Sequence, residues 1–281
     1  MSHATSTSRP QSVKRHSLPV RLTHWVNALC LAFLFMSGLQ IFNAHPALYL
    51  GQSSHFASPV FAIDTRDVGG QVQGYTALLG HSLDTSGVLG LSGAGGHAVE
   101  RAFPSWITLP SGQDLAGGRH WHFLMAWLLV ANGAVYLLYG LVSRHFARDI
   151  LPDRADLAHT GQAIVDHARF RFPRGENVHR YNVLQKLAYA GVIFVALPLI
   201  VLAGWAMSPG LDAAFPYLTS LFGGRQTART VHFIVAFALV AFVAVHLAMV
   251  LLTGVFNNMR SMITGRFDAG QAKDGEATNH A

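Results

Sequence analysis

The stretch VHFIVAFALVAFVAVHL, Val231–Leu247, decides the fold, because two histidines interrupt an otherwise apolar run. A polar side chain at membrane depth is costly and usually faces the protein interior, so His232 and His246 are candidates for a functional site. Fourteen residues advance an α-helix by about 21 Å and return it to within roughly 40° of the starting face. Both rings therefore point the same way, at two depths of a hydrocarbon layer about 30 Å thick. This arrangement suits two redox centres stacked across a bilayer.

The composition places the whole chain in a membrane. Its 281 residues are 51% hydrophobic and 12% charged, whereas soluble domains carry about 25% charged residues. Runs of the roughly 20 apolar residues that a spanning helix needs occur four times, at Val20–Phe42, His120–Val142, Asn182–Ala206 and Thr230–Gly254. Runs this continuous exclude the alternating strands of a barrel. We therefore predict an all-α integral membrane protein, a four-transmembrane-helix bundle with a long extracytoplasmic loop, 43–118, between helices 1 and 2.

The basic residues predict the orientation. Fourteen Lys and Arg residues lie in the N-terminal segment, the loop 143–181 and the C-terminal tail, against five in the remaining loops. The positive-inside rule therefore predicts that both termini are cytoplasmic, and the basic charge reflects topology and indicates no nucleic acid. The polar segments 1–17 and 268–281 are predicted to be disordered, which leaves 18–267 as the folded domain. The first apolar run is too long for a signal peptide and lacks an A-x-A site, so we predict a retained helix.

Cysteine usage restricts the possible cofactors. The single cysteine, Cys30, permits no intrachain disulfide, no cysteine-ligated iron–sulfur cluster and no C-x-x-C-H attachment of a c-type haem. A haem in this chain must be held by histidine and by packing. The predicted spans contain no Asp or Glu, so a carboxylate-based metal site has no residues there.

Five of the sixteen histidines lie in or beside the spans, namely His24, His120, His122, His232 and His246. Their depths predict two pairs. His122 and His232 would lie near the extracytoplasmic face, and His24 and His246 near the cytoplasmic face. Zinc would need three or four ligands at one level. Two imidazoles per level with no other ligand fit a bis-histidine haem better.

Glycine spacing supports the same pairing. Gly133 and Gly140 follow His122 by eleven and eighteen residues, and Gly38 follows His24 by fourteen, so each glycine lies near the face of its histidine. Small residues there would let a flat macrocycle approach the backbone. The alternative is that these glycines only let membrane helices pack closely.

The chain resembles the bacterial di-haem cytochrome b561 family, which includes the cytochrome b subunits of nickel–iron hydrogenase, formate dehydrogenase and thiosulfate reductase. The resemblance covers about residues 15–267. It rests on RLTHW (Arg21–Trp25), GRHWHFLMAW (Gly118–Trp127), YNVLQKLAY (Tyr181–Tyr189) and RTVHF…VHLAMV (Arg229–Val250). The segment Phe103–Phe123 resembles the branch found beside molybdopterin oxidoreductases of the sulfite-oxidase type. In that branch Arg is common at the position of His120, which favours His122 as the ligand.

The resemblance implies two non-covalent haem b groups held by His24, His122, His232 and His246. It also implies electron transfer in the bacterial inner membrane between quinone, bound near the cytoplasmic haem, and an extracytoplasmic molybdopterin or iron–sulfur subunit. Bis-histidine ligation leaves the iron no open position, so each haem would relay electrons. Three arginines beside the ligands are candidate partners of the haem propionates, with interfacial anchoring as the alternative: Arg21, Arg119 and Arg229.

Two functional alternatives remain open. The protein could be a self-contained enzyme that oxidises superoxide or another small donor and reduces quinone. It could also be a non-redox four-helix anchor or transporter with structural histidines. For the electron-transfer function, the segment FPSWITLP, Phe103–Pro110, has a composition suited to docking a partner, with Trp106 as an anchor. The alternative for this segment is a lid packed over the haem of His122 and His232.

Overall fold

The computed structural model describes residues 12–93, 98–158, 160–161, 165 and 183–268. The helices in these residues are α1 Leu18–Asn43, α2 Leu115–Val142, α3 Arg154–Ala158, α4 Val183–Met207, α5 Pro209–Ala214, α6 Tyr217–Leu221, α7 Arg225–Leu252 and α8 Val255–Thr264. The strands are β1 Ser12–Lys14, β2 Ala47–Leu48, β3 Phe61–Val68, β4 Gln71–Leu78, β5 His81–Asp84, β6 Gly90–Ser92, β7 Val99–Arg101 and β8 Arg266–Asp268. Residues 1–11 and 269–281, most of the termini predicted to be disordered, lie outside the described residues, as do His97, His159 and His167.

Four of the helices, α1, α2, α4 and α7, are long and apolar enough to cross a membrane. The prediction of a helical membrane protein with four spans is therefore confirmed. Helices α2 and α7 each begin five residues before the predicted span, at Leu115 and Arg225. The first turns of α2 and α7 contain glycine or arginine, so the apolar run in the sequence begins after the helix does.

The chain forms two compact units, and each of the four long helices contributes residues to both. The first unit comprises Met1–Trp25, Ala134–Phe194 and Ala241–Ala281. The second comprises Val26–Gly133 and Val195–Val240. Each unit contains one of the two predicted histidine pairs.

In the first unit, the chain termini pair with each other. Strand β1 runs antiparallel to β8, with Val13 opposite Phe267. The Arg15 guanidinium lies 4.7 Å from the centre of the Phe267 ring, and its backbone N–H donates to the Gly265 carbonyl. The prediction of disorder for 1–17 thus needs correction at Ser12–Lys14, because these residues gain ladder hydrogen bonds from a distant segment. In the same unit, Lys186 of α4 is buried, and its charge is neutralised by an ion pair of 2.6 Å with the Asp156 carboxylate.

In the second unit, the long connection between α1 and α2 is folded. Strands β2, β3, β4 and β5 form an antiparallel sheet in that order, and β6 pairs with β7. Gly69 and Gly70 make the β3–β4 turn, both with positive φ, which suits a tight hairpin. Ile63 of the sheet packs with Phe42 of α1 and with Phe103 in one apolar core. The strands of this connection differ from the loop that the sequence predicts for 43–118.

Candidate functional site

The first histidine pair lies in the second unit, where α2 carries His122 and α7 carries His232. The two ring centroids are 6.1 Å apart and the ring planes differ by 59°. Nδ1 of His122 lies 3.1 Å from the Ser37 hydroxyl, and Nδ1 of His232 lies 2.9 Å from the Ile200 carbonyl. Each ring therefore has one nitrogen engaged outside the pair, which leaves Nε2 as the available ligand atom.

The hydrogen-bond partners fix the tautomers of this pair. A carbonyl can only accept, so His232 must donate from Nδ1 to Ile200. The Ser37 hydroxyl already donates to the Phe33 carbonyl at 2.6 Å, so its oxygen is free to accept from Nδ1 of His122. Both Nε2 atoms then carry a lone pair, which is the state that a metal ligand requires. Such second partners orient ligating histidines and raise their basicity.

Two glycines lie against the back of these rings. A Cβ added to Gly38 or to Gly204 would lie 3.4 Å from Cε1 of His122 or of His232, respectively. The absence of side chains at these positions lets helices α1 and α4 approach the imidazoles closely. Gly38 thus adjoins the ring of His122, and its place on the same helix face as His24 stays a prediction.

The two glycines predicted to accompany His122 behave differently. Gly133 faces open space, whereas a side chain at Gly140 would occupy the position of the Phe146 ring. Gly140 therefore serves close packing with Phe146 in the first unit. Close packing is the alternative role that the sequence left open for Gly140.

The second histidine pair lies in the first unit, where α1 carries His24 and α7 carries His246. Their ring centroids are 6.3 Å apart and the planes differ by 57°. Nδ1 of His24 is buried and has no hydrogen-bond partner among the described residues. The Phe242 ring lies nearly parallel to that of His246, at 15° and 6.0 Å. A pocket of about 180 Å³ adjoins His246, with the Tyr189 ring on its wall.

The separations in both pairs fit a shared metal ion. A ligating imidazole nitrogen lies roughly 2 Å from a first-row metal and about 1.1 Å from its own ring centre. Two rings that bind one ion from opposite sides therefore have centroids about 6 Å apart, which agrees with 6.1 and 6.3 Å. The described residues contain no group of three or more His, Cys, Asp or Glu that could hold a metal ion. His120 is exposed and lies outside the pair formed by its neighbour His122.

The three arginines predicted beside the ligands have other contacts. The Arg21 guanidinium donates to the carbonyls of Met262 and Ile263, at the end of α8. Arg229 donates to the carbonyl of His45 and lies over the Phe42 ring. Arg119 lies over the Phe123 ring, 5.6 Å from its centre. Arg21 and Arg229 thus tie helix ends together, and a propionate role for any of the three stays a prediction.

Apolar spanning helices that carry opposed imidazole pairs are the features of a membrane cytochrome of the b type. The chain belongs to the prokaryotic cytochrome b561 family, whose sequence profile matches residues 15–265. It is similar to a protein of Azospira oryzae with the provisional name protein-methionine-sulfoxide reductase subunit YedZ1. The two are 30% identical over 251 residues, which cover 88% of this chain and 93% of the relative. The family resemblance seen in the sequence is thus confirmed, and the protein is a membrane haem protein of the cytochrome b561 type.

Sequence reasoning missed the groups that orient the rings, namely Ser37, the Ile200 carbonyl and Gly204. Ser37 carried a usable signal, because it is a hydroxyl within an apolar span. The Ile200 carbonyl carried none, since every residue has one and only the folded chain shows which carbonyl meets a ring.

Proposed function

We propose that the protein is a di-haem b-type cytochrome that passes electrons between membrane quinone and a redox partner. The observation that carries the proposal is the pair of opposed imidazoles in each unit, at 6.1 and 6.3 Å. His122 and His232 would hold one haem, and His24 and His246 the other. Bound haem supplies one-electron redox chemistry. An iron held by two histidines would have no open position for a substrate, which suits electron transfer.

The role of the protein is then to hold and orient the ligands. Ser37 and the Ile200 carbonyl keep Nδ1 of His122 and His232 occupied, so that Nε2 would be the atom that holds the metal. The apolar surroundings exclude water. The pocket beside His246 is a candidate site for quinone, because it is mostly apolar and also presents Gln185 and Tyr189.

The basic residues support a location in the bacterial inner membrane with both termini in the cytoplasm. The connection between α1 and α2 would then lie outside the cytoplasm, as a folded surface of strands β2–β7. Within it, Phe103 is buried against Phe42 at 5.6 Å, while Trp106 is 76% exposed. This arrangement presents an indole on a fixed backbone, which suits an interface anchor.

The name of the Azospira oryzae relative supports a reductase as the partner. A reductase that receives electrons from quinone through this protein would dock on the connection between α1 and α2. By the family resemblance, we expect that reductase to carry molybdopterin. Its co-purification with the cytochrome would separate this function from a self-contained enzyme that acts on superoxide or another small donor.

Haem stoichiometry tests the core of the proposal. The purified protein should contain two non-covalent b haems per chain by the pyridine haemochrome assay. His24→Ala and His232→Ala should each leave one haem, and the double variant none. A wild-type protein with one haem or none would refute the two-haem proposal. A reduced-minus-oxidised spectrum without a b-type signal would instead favour a structural role for the histidines.

A further inference from the structure

Helix α8 turns a polar residue toward the protein and apolar residues outward. Its most buried residue is Ser261, at 1% exposure, whereas Phe256 is 88% and Ile263 57% exposed. Met259 is also exposed, and these three apolar residues fall within about 60° of one another around the helix. We call them the apolar stripe of α8. A helix of a water-soluble protein would bury this stripe and expose the serine.

The place of α8 in the chain indicates what covers the stripe. Spanning helix α7 ends at Leu252, and α8 begins three residues later, after Gly254, whose φ of 101° lies in the left-handed region. A helix that follows a span so directly lies at the boundary of the membrane. The exposed Arg260 lies beside the stripe, where a cation can meet a lipid phosphate.

The C-terminal end of α8 is fastened to α1 within the same unit. The Trp25 indole donates to the Met262 carbonyl at 3.2 Å, and Arg21 donates to the carbonyls of Met262 and Ile263. Gly265 ends the helix in the left-handed region with φ of 81°, and a Cβ there would press on Arg21. These contacts hold the end of α8 against α1, while the buried Ser261 and the exposed Phe256 show that the stripe faces outward.

We propose that α8 is an interfacial helix whose apolar stripe, Phe256, Met259 and Ile263, inserts into the lipid boundary of the membrane. Such helices bury the apolar face roughly 5–10 Å into the boundary between headgroups and acyl chains. The tail that follows, residues 269–281, has no apolar residue larger than alanine. The binding surface offered to lipid is independent of the haem proposal.

Cysteine labelling in a defined bilayer tests this inference. The natural Cys30 is fully buried, so the parent protein gives a low background. Phe256→Cys and Ile263→Cys place a thiol on the stripe. Thr264→Cys is the matched control, since Thr264 is exposed on the same helix but about 80° from Phe256. Each variant is placed as a single copy in a nanodisc of phosphatidylcholine and phosphatidylglycerol, and an unchanged haem spectrum confirms its fold.

The measured quantity is the alkylation rate with a charged maleimide and with N-ethylmaleimide, which dissolves in lipid. A charged reagent is excluded from the apolar layer of the membrane, so we expect it to modify both stripe thiols at least about tenfold more slowly than the control. The lipid-soluble reagent should reduce that difference to about threefold or less, because it concentrates where the stripe lies. Equal rates with the charged reagent would overturn the proposal and leave the stripe free for a protein partner. Slow reaction with both reagents would also overturn it, because the stripe would then be covered by this chain.

Discussion

The substitution Ser37→Ala tests whether the second partner of an imidazole controls a haem site. Ser37 is fully buried, and its oxygen lies 3.1 Å from Nδ1 of His122. Alanine removes the acceptor but keeps the helix, since it is the best helix former. The ligand nitrogen, the backbone and the opposing histidine stay in place. Any loss therefore reports on the orientation and basicity of one ring.

The structure sets the size of the effect. A net hydrogen bond contributes about 1 kcal/mol, and a buried donor left without an acceptor costs roughly 1–3 kcal/mol. Loss of such a partner typically lowers metal affinity about 10- to 100-fold, which corresponds to about 1.4–2.8 kcal/mol. A less basic ligand also favours ferric iron less, so the potential of this haem should rise. A differential effect of 1.4 kcal/mol equals about 59 mV for one electron.

The assay is a redox titration of the purified protein, followed by haem loss on dilution. We expect one of the two haem components to rise by tens of millivolts and to dissociate faster, while the other is unchanged. Ser143→Ala is the matched control, because Ser143 donates to the carbonyl four residues earlier, as Ser37 does, but forms no hydrogen bond with a histidine among the described residues. If Ser37→Ala and Ser143→Ala behave alike in both measurements, the reasoning about Nδ1 is wrong.

Three further predictions follow from the described contacts. His122→Ala should remove one haem, whereas His120→Ala should keep both, because the His122 ring lies 6.1 Å from the His232 ring and His120 lies outside that pair. The haemochrome assay would contradict this assignment if only His120→Ala lost haem. Trp106→Ala should weaken partner co-purification without changing the haem spectrum. Phe56→Ala is the control, because Phe56 is equally exposed. An altered haem spectrum in Trp106→Ala would instead favour Phe103–Pro110 as a lid over the haem. Burial lowers the pKa of His16 to about 4 from 6.5, so the unfolded chain binds the proton first and stability should fall as the pH drops through this range. His16→Gln should weaken the dependence of the thermal unfolding temperature on pH between 6.5 and about 4. If that dependence is unchanged in the variant, His16 is not its cause.

The spans and the histidine pairs could be predicted because both follow from local rules. Lipid permits only helices or closed barrels, so a continuous apolar run predicts a helix without knowledge of its neighbours. The fixed rise of a helix then converts a residue number into a depth, which places His232 near the level of His122. The structure brings these two rings together, and the same rise places His246 near His24.

The strands between α1 and α2 could not be predicted in the same way. They are mostly exposed on both faces, as in β5, where His81–Asp84 are all exposed. The period of two that identifies a strand needs one buried face, and these strands have little of it. Only the Gly69–Gly70 turn carried a local signal for a hairpin. The pairing of Ser12–Lys14 with Arg266–Asp268 had none, since each strand is stabilised by residues about 250 positions away.

The hydrogen bonding of Nδ1 differs between the two sites, and this difference predicts an order for the two haem potentials. At His122 and His232 both Nδ1 atoms have an oxygen partner, which raises the basicity of the ligands and favours the ferric state. At His24 the buried Nδ1 has no partner among the described residues. Its ring is therefore a weaker donor and should favour ferrous iron more. We expect the haem of His24 and His246 to have the higher potential, and spectra of single-haem variants at stepped potentials would measure it. If the His24→Ala variant retains the higher-potential haem, hydrogen bonding at Nδ1 does not set the order of the two potentials.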